Sequence, residues 1–488
     1  MKNFAKKSLM YKYRFPIIFG ILGFMAVILA AWDFAGMPNG LTNSEMLSAK
    51  SAGSLNLAKI FNGETNFANL PYLLLQHFSI QLFGYSTFAF RLPSVLLMIG
   101  AVVCLGFAMS RYQKKNMTAM AGFLVIGSPM FMSLARLGSS EAISVFLLSA
   151  LLMMVGFLLC DNSKGVKAGF LKVSMCVCAA LLVYSPGGII VVAGIILIGV
   201  FHPKTRYEIF RNKWYKILGG SILAMIIVSP ILAEAFHGHF DWNLFGFANW
   251  HVGNFGSAFS LLFTVNGGVI GNILSPAMSI SVAALSIFGI VRLALVVSSA
   301  RARLVLPLFA LSILFTLGDP SLGFWIFVPL SFALAVGVDG LVGYWYKLFP
   351  LNPYARVFAV PLVVVLVLSA GLASSGSFFA SNFYNQRTVA TFDREFGAIR
   401  EVLSDKKSYI LVVNSDQKSF YENLSRDFSR VKITDKIPGK YNKGELIISG
   451  SFLENQAKNN NKNVPDSSNV SRITSDFTKD GKILVYKY

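Results

Sequence analysis

Residues 357–378 read VFAVPLVVVLVLSAGLASSGSF, and none of these side chains carries a charge. About 20 consecutive apolar residues are enough to cross the hydrocarbon core of a bilayer as a helix. The stretch therefore predicts a transmembrane helix. Similar stretches recur through the N-terminal three quarters of the chain. They lie at 15–32, 92–110, 117–135, 142–160, 168–184, 187–201, 217–234, 270–291, 304–317 and 322–343, which makes about 11 predicted spans.

The composition of the whole chain also indicates a membrane protein. Of the 488 residues, 55% are hydrophobic and 14% are charged, and the mean hydropathy is +0.60. Soluble globular proteins carry roughly 25% charged residues, so the polar surface is too small for a water-soluble body of this length. A cytosolic enzyme, a secreted disulfide scaffold and a disordered protein are excluded. The 4 cysteines lie within or beside apolar stretches and predict neither a disulfide framework nor a thiolate metal cluster.

The distribution of lysine and arginine predicts the orientation in the membrane. With the N-terminus in the cytosol, the cytosolic ends of the predicted spans carry 21 of these residues and the opposite ends carry 4. Cytoplasmic loops of membrane proteins carry such an excess of positive charge. An odd number of spans then places the C-terminal region outside the cytoplasm. The chain is thus expected to be a multi-pass protein of the cell membrane.

The first outer loop, residues 33–90, holds two stretches that predict helices along the outer membrane interface. Ser44–Phe61 is amphipathic, and Pro71–Gly84 is apolar but too short to span. Two acidic residues, Glu45 and Glu141, lie at the edges of apolar stretches. An unpaired charge is costly there and marks a candidate functional site.

The composition changes near Ser381, where the predicted spans end. Of the last 108 residues, 31 are charged. We therefore divide the chain into a transmembrane domain, 1–380, and a soluble extracytoplasmic α/β domain, 381–488. Alternating and β-branched patterns predict four strands and one helix in this tail, and an Asn/Ser-rich composition predicts a loop. The strands are Tyr409–Val413, Val431–Thr434, Glu445–Ile448 and Ile483–Tyr486; the helix is Gln417–Phe428, and the loop is Asn455–Ser471.

Part of the first outer loop resembles a known family. NLPYLLLQH (69–77) and LFGYSTFAFRLPS (82–94) are similar to a recurring segment of GT-C glycosyltransferases, in particular those related to protein O-mannosyltransferases and to the lipid A aminoarabinose transferase. Weaker similarities are Ala135-Arg136 followed by Glu141, and FWIFVPL (324–330). The resemblance covers roughly residues 10–380 and implies a GT-C-like polytopic α-helical membrane fold.

The resemblance also implies an activity, which is the transfer of a hexose or pentose from a polyprenyl-phosphate-linked donor. The acceptor, which is a protein, a lipid or a glycan, is approached from the extracytoplasmic face. A carboxylate in the first outer loop acts as general base or positions the acceptor hydroxyl, while positive charge stabilises the leaving phosphate. The expected partners are the donor, the acceptor and the bilayer, without nucleic acid. No cofactor is predicted, and the sequence does not indicate a divalent metal.

The chain departs from the family pattern at the predicted acid. Asn43-Ser44-Glu45 stands where the family usually has an Asp-Glu pair, so Ser44 replaces the aspartate. Three possibilities stay open: Glu45 carries the acid role, Asp33 substitutes for the aspartate, or the activity is lost and the chain is a non-catalytic scaffold. A lipid or glycan transporter is a further alternative, although the sequence shows neither an internal repeat nor paired broken helices.

Four residues are candidates for substrate binding under the resemblance. Arg91 and Arg136 would contact the donor phosphate through bidentate hydrogen bonds; the alternative is that both extend to lipid headgroups. Glu141 stands where the family commonly has aspartate. His251, beside Trp250, either lines the sugar site or belongs to a set of wet interfacial aromatic residues, and the second interpretation is favoured.

Overall fold

A computed structural model of the chain is mostly helical. It describes residues 9–55, 68–160, 166–201, 214–236, 242–246, 250–263, 268–270, 272–403, 408–424, 427–428, 430–437, 446–453, 471–473 and 485–487. Its longer α-helices are Leu9–Ala31, Asn43–Gly53, Leu70–Phe83, Thr87–Tyr112, Lys115–Ile126, Pro129–Arg136, Glu141–Cys160, Val166–Leu182, Gly188–Phe201, Trp214–Phe236, Phe255–Phe263, Ile280–Leu295, Ala300–Gly318, Phe327–Leu348, Pro353–Tyr384, Glu395–Leu403 and Ser415–Glu422. A short helix, Gln386–Ala390, and the 3-10 helices Trp242–Phe245, Val252–Asn254 and Pro320–Ile326 complete the set.

The prediction of a polytopic helical membrane protein is confirmed. Each predicted span overlaps with a helix or a helix pair. By length and apolar composition, six helices of the described part are able to cross a membrane, or seven if one bent pair counts as a single span. Other predicted spans correspond to shorter apolar helices, such as Gly188–Val200 and Ile280–Leu295.

The predicted span at 117–135 is a broken helix. Lys115–Ile126 and Pro129–Arg136 meet at an angle of 60°. Ser128 explains the break because its hydroxyl accepts a hydrogen bond from the Phe131 amide and so caps the second helix. Pro129 occupies the first turn of that helix, where its missing N–H costs nothing.

The predicted span at 270–291 begins too early. Its first residues belong to a small antiparallel hairpin of β1 (Val269–Ile270) and β2 (Ile273–Leu274), and the helix starts only at Ile280. Pro276 lies between the hairpin and the helix and lacks the amide hydrogen that a continuous helix would need.

Two helices of the membrane part pack through small residues. A Cβ atom on Gly289 would lie 1.8 Å from the carbonyl oxygen of Ala333, and one on Gly337 would lie 2.1 Å from that of Leu285. The backbones of Ile280–Leu295 and Phe327–Leu348 therefore touch. Small residues permit this close approach in membranes, where helix association depends on van der Waals packing.

The chain forms two compact units. The first comprises residues 1–32, 56–72 and 94–389, and the second comprises 33–55, 73–93 and 390–488. The second unit thus combines the tail with two parts of the first outer loop, whereas the sequence predicted a domain of residues 381–488 alone. The predicted boundary also differs because the last long helix continues to Tyr384, past the point where the composition changes.

The second unit contains a five-stranded sheet in the order β4-β3-β5-β7-β6. The strands are β3 (Tyr409–Val412), β4 (Val431–Thr434), β5 (Leu446–Ser449), β6 (Ser471–Ile473) and β7 (Val485–Lys487). β3 pairs in parallel with β4 and β5, whereas β7 is antiparallel to β5 and β6. Of the predicted loop Asn455–Ser471, all but Ser471 lies outside the described residues, and Ser471 begins β6.

Aromatic side chains explain why the second unit includes pieces of the first outer loop. The ring of Tyr85 lies 4.7 Å from that of Phe90, and Phe90 lies 5.6 Å from Phe396 of the tail. Phe420 lies 5.3 Å from both Tyr85 and Phe396. These four rings belong to one buried core, which also contains Leu41. Aromatic pairs at such distances add to the free energy of burying their surface.

Candidate functional site

Glu45 belongs to a capping box at the start of the helix Asn43–Gly53. The Thr42 hydroxyl accepts from the Glu45 amide at 3.2 Å, and Glu45 Oε2 accepts from the Thr42 amide at 2.8 Å. The Thr-x-x-Glu spacing is the sequence signature of this motif, since each side chain satisfies an amide that the first helical turn leaves free. Thr42 followed three positions later by Glu45 is the sequence signal for this role of Glu45.

Arg91 binds the same carboxylate. Its Nε donates to Glu45 Oε1 at 2.7 Å and one terminal nitrogen donates to Oε2 at 3.2 Å, and both side chains are fully buried. The guanidinium also donates to the carbonyl oxygens of Phe34 at 3.0 Å, Pro38 at 2.9 Å and Gly40 at 2.6 Å. Arg91 thereby holds the chain from Phe34 to Gly40 against the start of the Asn43–Gly53 helix.

This geometry does not fit the roles predicted for the two residues. A general base must reach the proton that it removes, but Glu45 has no exposed surface and both of its oxygens accept hydrogen bonds from the protein. The N–H groups of Arg91 likewise bind Glu45 and backbone carbonyls. In this conformation the guanidinium is therefore not available to the phosphate of the sugar donor or to lipid headgroups. The two side chains bind each other in the interior of the protein, where neither has exposed surface.

Ser44 and Asp33 retain accessible side chains. Ser44, which replaces the family's aspartate, is half-buried, with its hydroxyl 3.0 Å from that of Thr42. Asp33 is exposed and has a left-handed backbone conformation with φ +47°. Its carbonyl oxygen accepts from the amides of Gly36 and Met37, which closes a turn after the first membrane helix.

Arg136 also has a structural position. It is fully buried, and its Nε donates to the Leu29 carbonyl at 2.8 Å while a terminal nitrogen donates to that of Trp32. Its guanidinium lies 5.1 Å from the ring centre of Phe379. Arginine at a helix C-terminus satisfies the last carbonyls and complements the helix dipole. Arg136 therefore caps the helix Leu9–Ala31, and neither phosphate binding nor extension to lipid headgroups fits this environment.

Glu141 begins the helix Glu141–Cys160. One oxygen of its half-buried side chain accepts a hydrogen bond from the Asn272 amide group at 2.8 Å. An acidic side chain in the first helical turn is favoured by the helix dipole. The partner, Asn272, lies in the turn of the β1–β2 hairpin, a segment that the sequence had assigned to a membrane helix.

His251 and Trp250 lie on an exposed loop. The Trp250 side chain is 41% exposed and its indole covers Gly318, where a Cβ atom would lie 1.4 Å from the ring. The His251 amide donates to the Gly318 carbonyl at 3.3 Å, and its side chain is exposed. Any side chain at position 318 would therefore clash with the indole of Trp250, so its position requires glycine.

No metal centre is found in the part of the chain that the structure describes. No group of three or more His, Cys, Asp or Glu side chains there is arranged to hold a metal ion.

The comparisons with known proteins agree with this fold. Residues 70–233 match the family model of dolichyl-phosphate-mannose-protein mannosyltransferases. The structure of ArnT from Cupriavidus metallidurans bound to undecaprenyl phosphate is similar at 12% identity and a TM-score of 0.56, with 98% of each chain covered. The apo oligosaccharyltransferase of Archaeoglobus fulgidus is similar at 11% identity and a TM-score of 0.54, covering 87% of this chain and 65% of that one.

A search of curated protein sequences finds no significant match. Similarity at 11–12% identity establishes a shared fold, and the family model adds a match in sequence over about a third of the chain. The resemblance inferred from the first outer loop is confirmed by both. The chain is a multi-pass membrane protein with the GT-C fold, and its family match and fold are those of membrane glycosyltransferases.

Proposed function

We propose that the chain transfers a sugar from a polyprenyl-phosphate-linked donor to an acceptor on the extracytoplasmic face of the membrane. The observation that carries the proposal is the similarity along 98% of the chain to an ArnT structure that holds undecaprenyl phosphate. The match to a mannosyltransferase family model from residue 70 onward supports it. The excess of positive charge on one side of the predicted spans supports a cytosolic N-terminus.

Asp33 is the carboxylate that we propose as general base. Among the described residues of the first outer loop, 33–55 and 68–90, the carboxylates are Asp33 and Glu45. Both carboxylate oxygens of Glu45 accept hydrogen bonds from Arg91 or Thr42. Of these two carboxylates, only that of Asp33 is therefore accessible to an acceptor hydroxyl. Glu45 and Arg91 then act as a positioning pair that fixes the backbone conformation of the loop.

Two other elements are proposed to contact lipid and donor. The helix Leu70–Phe83 exposes Leu75, Phe78 and Leu82, which lie on one side of the helix at spacings of three and four. This apolar stripe fits the outer membrane interface. His251 keeps an exposed imidazole and is proposed as a contact to the donor.

Asp33→Asn is expected to lower the transfer rate by about 100-fold or more, the usual contribution of a general base. The full chain is reconstituted in nanodiscs with radiolabelled undecaprenyl-phosphate mannose and a membrane extract as acceptor source. Release of undecaprenyl phosphate and transfer of the label are measured. Asp416→Asn, at an exposed position, is the matched control. Full activity of Asp33→Asn together with an inactive but folded Glu45→Gln would return the role of base to Glu45.

Ser44→Asp is expected to raise the transfer rate by at least about tenfold, because it places a second accessible carboxylate in the loop. The position is half-buried at the start of a helix, where an acidic residue is also favoured by the dipole. The same assay measures the gain, with Ser44→Asn as the uncharged control. An unchanged rate would show that the site does not use a carboxylate at this position.

A non-catalytic scaffold is the second candidate function. It is favoured by the serine at position 44 and by the complete occupation of Glu45. Absence of donor turnover both in the native chain and in Ser44→Asp, with the fold intact, would support it over the transferase.

A further inference from the structure

Two carboxyl groups of the second unit interact with each other, that of Glu395 buried and that of Asp393 half-buried. Glu395 Oε1 accepts from the Ser451 amide at 2.6 Å, and Oε2 lies 3.0 Å from the Ser451 hydroxyl. Asp393 Oδ1 accepts from the Glu395 amide at 2.8 Å, and Oδ2 accepts from the Gln417 side chain at 3.2 Å. Among the described residues, no cation donates a hydrogen bond to either carboxyl group, and two negative charges in such a site repel each other.

The groups that face this pair come from several elements. Tyr421, on the same helix as Gln417, is fully buried, and its hydroxyl has no hydrogen-bond partner among the described residues. Tyr85 lies beside Tyr421, and Arg394 separates the two acids in the chain. Burial raises the pKa of Glu395 to about 7, and the charge of Asp393 adds to the effect. Burial also raises the pKa of Asp393.

The backbone of Asp393 is bridged to the first outer loop. The Leu41 amide donates to the Asp393 carbonyl at 2.7 Å, and the Asp393 amide donates back to the Leu41 carbonyl at 2.8 Å. The neighbours of Leu41 on both sides bind the buried ion pair: the carbonyl of Gly40 accepts from Arg91, and the amide of Thr42 donates to Glu45. A backbone bridge therefore connects the carboxyl pair to the segment that holds Glu45 and Arg91, beside the packing of Leu41 against Phe396 in their common core.

We propose that the protonation state of the Asp393–Glu395 pair controls the strength of the Leu41–Asp393 bridge, and through it the opening of the 33–55 segment. When Glu395 is protonated, its Oε2 donates to the Ser451 hydroxyl and every hydrogen bond of the network is kept. When both acids are ionised, two negative charges share a buried site and the bridge is weakened. The conformation of the outer segment thus responds to the pH around the second unit, independently of any sugar donor.

The sign follows from proton linkage. The pKa of folded Glu395, about 7, lies above its ordinary value of 4.5, so the closed state binds more protons than the open state between these pH values. The closed state is the one in which the Leu41–Asp393 bridge is formed. Its free-energy advantage over the open state falls as pH rises through this window and becomes constant above it. Between pH 5.5 and pH 8, we expect the opening equilibrium to increase by about 30-fold.

Hydrogen exchange of the full chain in nanodiscs tests the proposal without substrate. Protection of the peptides that contain Leu41 and Asp393 is expected to fall about 30-fold from pH 5.5 to pH 8, after correction for the intrinsic exchange rate. Glu395→Gln keeps the hydrogen bonds to Ser451 without the charge, so its protection should stay high at both pH values. Glu401→Gln, on the same helix but exposed, is the control and should behave as the native chain does.

Two results would overturn the proposal. One is equal protection of the native bridge at both pH values, which needs no variant. The other is a fall in Glu395→Gln as large as in the native chain. Because no donor or acceptor is present, either failure would leave the proposed transferase activity untouched, and loss of transfer in Asp33→Asn would say nothing about the carboxyl pair.

Discussion

Glu45→Gln is expected to lower the free energy of unfolding of the second unit by about 3–5 kcal/mol. Glutamine has nearly the same shape, but it leaves the fully buried guanidinium of Arg91 without a countercharge. Removing one partner of a buried ion pair costs more than the pair contributes, because the remaining charge stays out of water. The change is measured by chemical unfolding in detergent micelles, followed by the environment of the tail's tyrosines.

Matched variants separate this effect from a general cost of substitution. Glu422→Gln alters an exposed acid of the same unit and should change stability by less than about 0.5 kcal/mol. The double variant Glu45→Gln with Arg91→Met should recover a part of the loss, because no charge is then left buried. If Glu45→Gln unfolds at the same denaturant concentration as the native chain, the pair does not hold the loop, and its positioning role is refuted.

Gly289→Ala is expected to lower the free energy of unfolding of the first compact unit by about 3 kcal/mol. This is the upper end of the usual cost of overpacking. The added methyl group would lie 1.8 Å from the Ala333 carbonyl, which is backbone of the helix Phe327–Leu348 and has no other rotamer to adopt. The two helices must therefore move apart along their whole contact. Thermal unfolding in detergent, with aggregation as the readout, measures the loss.

Gly106→Ala is the matched control, and its effect should have the opposite sign. Gly106 lies within the helix Thr87–Tyr112, and apart from its chain neighbours and the backbone of its own helix, no atom of the described residues comes within 4 Å of the position that a methyl group would take. Replacing glycine in an open helical position stabilises by about 0.4–1 kcal/mol, because the unfolded chain loses freedom. Equal effects of the two substitutions would show that the close approach at Gly289 does not contribute to stability.

The parts of the fold that were predictable from sequence are those encoded locally. Uninterrupted apolar stretches such as 357–378 predicted membrane helices, and a short apolar run and an alternating pattern predicted the strands β3 and β4, respectively. The predicted spans differ from the observed helices where a single residue overrides the local pattern. Pro129 follows a break in one predicted span, and Pro276 delays the start of another.

The candidate site depends on contacts between distant residues and was therefore only partly predictable. The sequence pattern marked Glu45 and Arg91 as candidate site residues. It did not predict that they bind each other, because they lie 46 positions apart in the chain. By hydropathy alone, Arg91 is a charged residue beside a predicted membrane span. In the structure, its guanidinium binds one carboxylate and three backbone carbonyls. Asp393 and Glu395 were missed for the same reason, because their burial requires the strand β5 and the helix Ser415–Glu422 to be in place.

The composition of the second unit has a consequence for how the protein is made. Tyr85 and Phe90 leave the ribosome early, whereas Phe396 and Phe420, against which they pack, follow some 300 positions later. At a translation rate of about 5–20 residues per second, the early rings wait for roughly 15–60 s. During this interval they are candidates for chaperone binding, and a chain that terminates prematurely after the last membrane helix would display them permanently, which marks it for proteolysis.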